Sequence, residues 1–382
     1  MTKKAFIIVL LILISLTSVS CRQEAPQEVT RVDGFRVILY EPEVEFPDSI
    51  SFDIEVEGEA EISEIALHYQ IDKLSPIPVT SIAFPSFETA LEVKANWKWD
   101  MRKTGGLPPG ARLRYWWSIE DVEGNGAETD VTNLSFDDRR HSWKSLASNR
   151  IDLSWYEGSN SFGQELLAAA EESLDRLATD IGAQPGENAR IYVYSSAQDL
   201  REALIYPQEW TGGVAYAEYG TMAIGISTRD LDWGKRTIAH ELAHLVIHQA
   251  IFSGYGMQLP TWLDEGLAMY AEGELSIEMR RTLEDAIYQG KLFSVKSLSS
   301  SFPAQFEAAY LAYAQSYSLV EFLLEEHGGK PKMLELLNAF KEGSGYVEAL
   351  DQVYALDIEQ LDNLWRQHVG SSSGYIALSC IG

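Results

Sequence analysis

The chain has 382 residues, 46% of them hydrophobic, and its 30 basic and 57 acidic side chains give a formal net charge of −27. That length predicts two domains at roughly 100–200 residues each, and the acidity excludes nucleic acid and anionic membrane surfaces as electrostatic partners, since both are polyanions. With only two cysteines, Cys21 and Cys380, a disulfide framework is excluded as well, so core packing must hold the fold.

In chain order, residues 1–21 read as an export signal. Lys3 and Lys4 form a basic leader, Ala5–Ile14 an unbroken apolar core, and Ser15–Ser20 a mainly small and polar run before Cys21. The apolar core falls short of the roughly 20 residues that a membrane-spanning helix needs. Cys21, after Val19-Ser20, resembles the lipobox of bacterial lipoproteins, although Ser18 stands where Leu is usual. The resemblance implies acylation of Cys21 and anchoring at the extracytoplasmic face of a bacterial membrane; plain secretion is the alternative. Residues 22–34, rich in Gln, Glu, Arg and Pro without apolar periodicity, suit a linker.

Between 35 and 137 the pattern becomes short alternating runs separated by turn residues: Phe35–Tyr40, Ile50–Val56, Ile62–Tyr69, Phe87–Val93, Leu113–Glu120 and Ala127–Phe136. This predicts an all-β sandwich. Leu107–Asp121, followed by Glu123-Gly124-Asn125-Gly126, is similar to an immunoglobulin or fibronectin-like hairpin. Nothing in the region converges on a site, so it reads as a spacer in preference to a binding module.

The second unit, 149–370, mixes strands with helices. Ile151–Trp155 and Arg190–Tyr194 read as strands, Gln164–Ala183 as a helix, and a short helix starts at Gln198. Thr211–Tyr216 and Met222–Ile226, separated by Tyr219-Gly220-Thr221, predict a β-hairpin. Leu231–Phe252 reads as a helix capped by Asp230 or Asp232, with Ile238, Leu242, Leu245 and Ile247 as apolar positions. Another helix begins near Pro260 and Thr261, with an apolar stripe of Leu263, Leu267 and Tyr270. Further helices are predicted over 276–289, 308–327, 331–341, 345–354 and 358–369, and a disordered tail over 371–382.

The chemistry concentrates in His240-Glu241-x-x-His244 and Trp262-Leu263-Asp264-Glu265-Gly266. Histidines at i and i+4 lie one above the other on a helix, so both can reach a single metal ion. Catalytic zinc takes three protein ligands and leaves a place for water, whose pKa falls to about 7. Glu265 supplies the third ligand if its helix packs on the first. Glu241, beside the histidines, is placed for general base and acid work. The composite implies one zinc ion held by His240, His244 and Glu265.

These two segments resemble the gluzincin metallopeptidases, most of all their peptidase MA-like branch. The resemblance covers the second unit and implies a multidomain chain, an N-terminal all-β Ig/fibronectin-like sandwich followed by an α+β gluzincin (thermolysin-like) catalytic domain with a largely helical C-terminal lobe. It also implies hydrolysis of peptide bonds, with a peptide or protein as substrate. Ala312–Val320 is similar to the Tyr-x-Lys-Gly segment of aminopeptidase N-like enzymes, which makes Tyr313 the residue that stabilises the tetrahedral intermediate, with Tyr317 as the fallback.

Two departures follow. Where thermolysin-like enzymes place an Asp that orients a histidine, this chain has Met269; Glu272, two turns after Glu265, takes that part instead, or is a solvated surface residue. The Gly-x-Met-Glu-Asn strand that holds a free amino terminus has no counterpart, so exopeptidase activity does not carry over. In its place Gly213, Val214 and Ala215 are the candidates for backbone contact with substrate, or simply the end of a sheet. His248 continues the histidine stripe and reads as structural, and His68, His141, His327 and His368 as surface or loop residues. Two rivals stand beside a peptidase: a binding or scaffold protein that keeps the fold without activity, and a zinc hydrolase of a non-protein amide such as those of cell wall. No partner protein is identifiable.

Overall fold

The computed structural model describes residues 27–379 apart from 76, 208–211 and 254–258, so the export signal, Cys21 and Cys380 lie outside the described residues. The chain is multidomain, with a β-rich N-terminal region and a helical C-terminal part. Strands β1 (Gln27–Val32), β2 (Phe35–Tyr40), β3 (Glu43–Glu45), β4 (Ser49–Ile71), β5 (Thr80–Ala83), β6 (Ala90–Asp100), β7 (Ala111–Asp121), β8 (Gly126–Glu128) and β9 (Thr132–Phe136) make up the first region.

Strand β4 is its axis. The first half pairs with β2, β3 and β6, and the second half with β5 and β7, all antiparallel. Alternation of side chains along it sends Phe52, Ile54, Val56, Ile65 and Leu67 into one core with Trp117 and Ile119 of β7. The two strands expected at 50–56 and 62–69 are therefore a single strand whose register slips between Glu57 and Ile62. Gly58 sits at the slip, where a Cβ would lie 2.9 Å from the carbonyl oxygen of Ala60; a glycine that suggests a chain reversal instead marks a bulge. Residues 27–32, expected as tether, pair with β2 from Gln27↔Tyr40 to Val32↔Phe35. The β-branched Val29, Thr30 and Val32 suit that ladder.

The second region opens with a five-stranded sheet of β10 (Lys144–Ala147), β11 (Ile151–Trp155), β12 (Ala189–Tyr194), β13 (Gly213–Tyr216) and β14 (Thr221–Gly225), in the order β10-β11-β12-β14-β13. The three central strands run parallel and both edge strands antiparallel. Its helices are α1 (Asn160–Arg176), α2 (Ala197–Glu202), α3 (Leu231–Ala250), α4 (Thr261–Glu272), α5 (Ile277–Gln289), α6 (Val295–Leu298), α7 (Phe306–Glu326), α8 (Gly329–Lys341), α9 (Tyr346–Tyr354) and α10 (Ile358–Ser379). Helix α1, expected to reach Ala183, loosens into a π turn over Leu177–Ile181 and stops at Gly182, where φ is 87°. Helix α10 runs on through most of the segment expected as a disordered tail. Among the described residues no helix is long and apolar enough to cross a membrane.

The regions share a core. Tyr194, Leu200, Ala203 and Ala223 of the second region belong to the same apolar cluster as Ala111 and Phe136 of the first. Beside it, buried Asp138 accepts hydrogen bonds from Arg140 Nε at 2.8 Å and Tyr194 Oη at 3.1 Å. Tyr156 donates to Asp199 at 2.6 Å and stacks on His141 with ring centroids 3.9 Å apart, so His141 is a junction residue and no free loop side chain.

Candidate active site

Helix α3 buries Ile238, Leu242, Leu245 and Val246 against the sheet, which leaves His240, Glu241, His244 and His248 along a half-buried stripe on its other side. Helix α4 meets that stripe. It buries Trp262, Leu263 and Leu267, and the Trp262 indole donates to Tyr346 Oη at 2.8 Å. Gly266 brings α4 onto α7: a Cβ there would lie 2.4 Å from the Ser316 carbonyl oxygen. This close contact carries the neighbouring Glu265 into the cleft.

Three atoms converge. His240 Nε2 and His244 Nε2 are 3.2 Å apart, and Glu265 Oε2 is 3.3 Å from the first and 3.5 Å from the second. The far sides of both rings are committed: His240 Nδ1 lies 2.8 Å from Glu272 Oε1, and His244 Nδ1 lies 3.0 Å from Asp264 Oδ1. A carboxylate facing Nδ1 fixes the ring and turns Nε2 toward the centre. Glu265 Oε2 is buried with no hydrogen-bond partner. Such an orphan is costly unless something positive fills the gap. Tetrahedral zinc with bonds of about 2.0–2.1 Å sets its donor atoms about 3.3 Å apart, so these residues fit the ion by spacing, chemistry and missing partner. The same three could hold a metal by their donor atoms alone.

The field of the site favours positive charge at its centre. Burial opposes charge on His240, yet the carboxylates of Glu265 and Glu272 outweigh it and hold the imidazole up at about 9. Burial likewise works against ionised Glu265, but the two histidines bring it down to about 2. Glu241 has no such cation in contact, and its carboxyl is pushed up, chiefly by burial. Tyr313 is also pushed up, by burial and by the nearby Glu265, Glu241 and Glu272, which keeps the phenol protonated.

Tyr313 faces the cluster, its ring centroid 6.4 Å from that of His240, with Phe302 packed edge-on behind it at 5.1 Å. Tyr317 turns elsewhere, donating to Glu321 at 3.1 Å and stacking on Tyr270. Opposite α4, edge strand β13 begins against Glu241: a Cβ on Gly213 would lie 2.7 Å from the Glu241 carboxyl carbon. A side chain there would push the Glu241 carboxylate aside. Val214 and Ala215 follow along the same half-buried edge.

Asp264 escaped the sequence reading. Its Oδ1 takes hydrogen bonds from His244 Nδ1 and, at 2.9 Å, from His248 Nε2. A carboxylate next to a ligand is a weak signal, because its direction depends on how α3 and α4 cross. His248 is thereby tied to the back of His244, and His68 and His327 lie apart from the site against Trp116 and Phe322.

Residues 169–371 match the model of the Peptidase MA superfamily, a span of more than half the chain. The chain belongs to the peptidase MA superfamily. Membership of that superfamily points to a peptidase-type function, and the superfamily is generally metal-dependent. Among solved structures the chain is similar to an aminopeptidase N family protein from Idiomarina loihiensis, at 13% identity and a TM-score of 0.38, over 82% of this chain and 73% of that one. It also resembles OgpA from Akkermansia muciniphila, at 13% identity and a TM-score of 0.20. That match covers 30% of this chain and only 28% of the OgpA chain. No curated protein matches.

Proposed function

We propose that this member of the peptidase MA superfamily is a zinc-dependent peptidase, with one zinc ion held by His240, His244 and Glu265. The observation that carries the reading is the convergence of three donor atoms at 3.2–3.5 Å around a buried carboxylate oxygen that has no partner. Zinc, when bound there, supplies Lewis acidity and a water made acidic enough to ionise near neutrality. Glu241 takes a proton from the attacking water at its carboxylate and returns it to the leaving nitrogen. Its raised pKa suits both halves of that exchange. Tyr313 keeps its phenolic proton and donates a hydrogen bond to the carbonyl oxygen as negative charge develops. Glu272 and Asp264 hold the imidazoles of His240 and His244 in the tautomer that presents Nε2. The edge of β13, from Gly213 to Ala215, binds an extended peptide by its backbone.

The β-rich region is read as Ig/fibronectin-like, and the chain as exported and tethered through an acylated Cys21 at the outer face of a bacterial membrane; the sequence before residue 22 supports this. Fluorogenic peptide mixtures test the activity. Cleavage that a chelator abolishes, that zinc restores and that Glu241→Gln lacks is expected. No cleavage by zinc-loaded protein would favour the binding reading, and cleavage of cell-wall amides alone would favour the other hydrolase.

A further inference from the structure

Edge strand β13 has only four residues and, among the described residues, one partner strand, β14. A strand so short with a single ladder is weakly held by itself. One end lies against Glu241 at Gly213; the other runs into the tight turn Ala217–Tyr219. That turn is held from both regions. In the loop between β4 and β5, Leu74 N donates to the Glu218 carbonyl oxygen at 2.6 Å, and Lys73 Nζ reaches the Glu218 carboxylate at 2.7 Å. The same ammonium lies 5.9 Å from the centroid of the Tyr219 ring. Arg190 bridges the regions, donating to the Gly110 carbonyl at 2.6 Å and to that of Tyr219. From the site's own side Gln249, at the end of α3, donates to the Ala217 carbonyl at 3.2 Å.

We infer that Lys73 and Leu74, which follow β4 in the N-terminal region, are part of the wall of the cleft, fixing edge strand β13 with Lys73 and Glu218 as positioning residues. The inference rests on the peptidase reading for its consequence in catalysis, and on contacts alone for its consequence in structure. It replaces the picture of the N-terminal region as a spacer with one in which the region sets how an extended substrate lies. Because the pair is half exposed, its loss alone weakens the hold by a factor of about five at most, whereas Lys73→Glu opposes two carboxylates and does more. The damage falls on substrate binding, since His240, Glu241, His244 and Glu265 stand on α3 and α4.

The experiment compares full-length wild type, Lys73→Glu and the charge exchange Lys73→Glu/Glu218→Lys, all zinc-loaded. Expected is a rise in KM of about fivefold or more for a peptide substrate in Lys73→Glu, kcat within about twofold, and recovery of most of KM in the exchange. Backbone amides of 213–219 should exchange hydrogen faster in Lys73→Glu while those of α3 and the zinc content stay as in wild type. Unchanged KM with unchanged exchange overturns the inference. So does a fall in kcat at constant KM, the mark of a misfolded fraction, or an exchange variant no better than the single. A wild type that cleaves no peptide would sink the peptidase reading instead, and amide exchange would still decide this one.

Discussion

Two buried polar clusters are built on opposite rules. At the junction of the regions, Asp138 is met by Arg140 and by the Tyr194 phenol, and Asp199 by Tyr156 and Ser195. Between α3 and α4, the carboxylate oxygen at the centre has no hydrogen-bond partner and two imidazole Nε2 atoms face it. A cluster that serves the fold consumes its polar groups internally; one that serves a ligand keeps some in reserve and pays in stability. The contrast separates structure from chemistry more clearly than burial, which both clusters share.

Removing the reactive group while keeping the reserve tests it most severely. Glu241→Gln should lower peptide cleavage about 10²- to 10⁴-fold with zinc content unchanged by elemental analysis; activity equal to wild type would exclude Glu241 as the base. At the junction the loss should be of stability instead. Asp138→Ala takes the acceptor from the buried Tyr194 hydroxyl and from the partly exposed Arg140, at a cost of about 2 kcal/mol in urea unfolding, and zinc affinity should not move. Asp264→Asn, which touches the back of His244, should weaken zinc about 10- to 100-fold in chelator competition. An unaltered affinity would mean that Asp264 does not orient the ligand.

The smallest effect is one of pH. Burial pushes the Asp138 carboxyl up, but the Arg140 fork and the Tyr194 hydroxyl prevail and hold it below the usual range. A carboxyl depressed in the folded state adds stability that is complete above its unfolded pKa of about 3.9 and fades as pH falls through the folded value. The stability gap between wild type and Asp138→Asn should therefore narrow below about pH 4, and a gap that widens there would reverse the assignment.

Much of the site was legible because helical spacing fixes directions. His240 and His244 at i and i+4 point the same way before any fold is known, and Glu265, on a second helix with the apolar stripe Leu263, Leu267 and Tyr270, joins them once that helix packs on the first. Asp264 was not legible, since its neighbours come from the crossing of two helices. Nor was the axis of the first region: Gly58 looks like a turn in sequence, yet long-range pairing of β4 with β6 and β7 carries the strand past it. Residues 27–32 were hidden for the same reason, as Gln27 and Glu28 dilute an alternation that only β2 completes. Local pattern specifies what one element does alone, and strand partners decide the rest.

The contact at Gly266 also divides the cleft into a side that can be re-engineered and a side that cannot. With backbone against backbone, α4 and α7 are held at close range, and Glu265 and Tyr313 stand on the two helices so joined. Any side chain at 266 would part the two helices and move Glu265 away from Tyr313. On the opposite side β13 is a four-residue edge strand with β14 as its one partner among the described residues, so on the peptidase reading proposed above a bulkier peptide would be admitted from there.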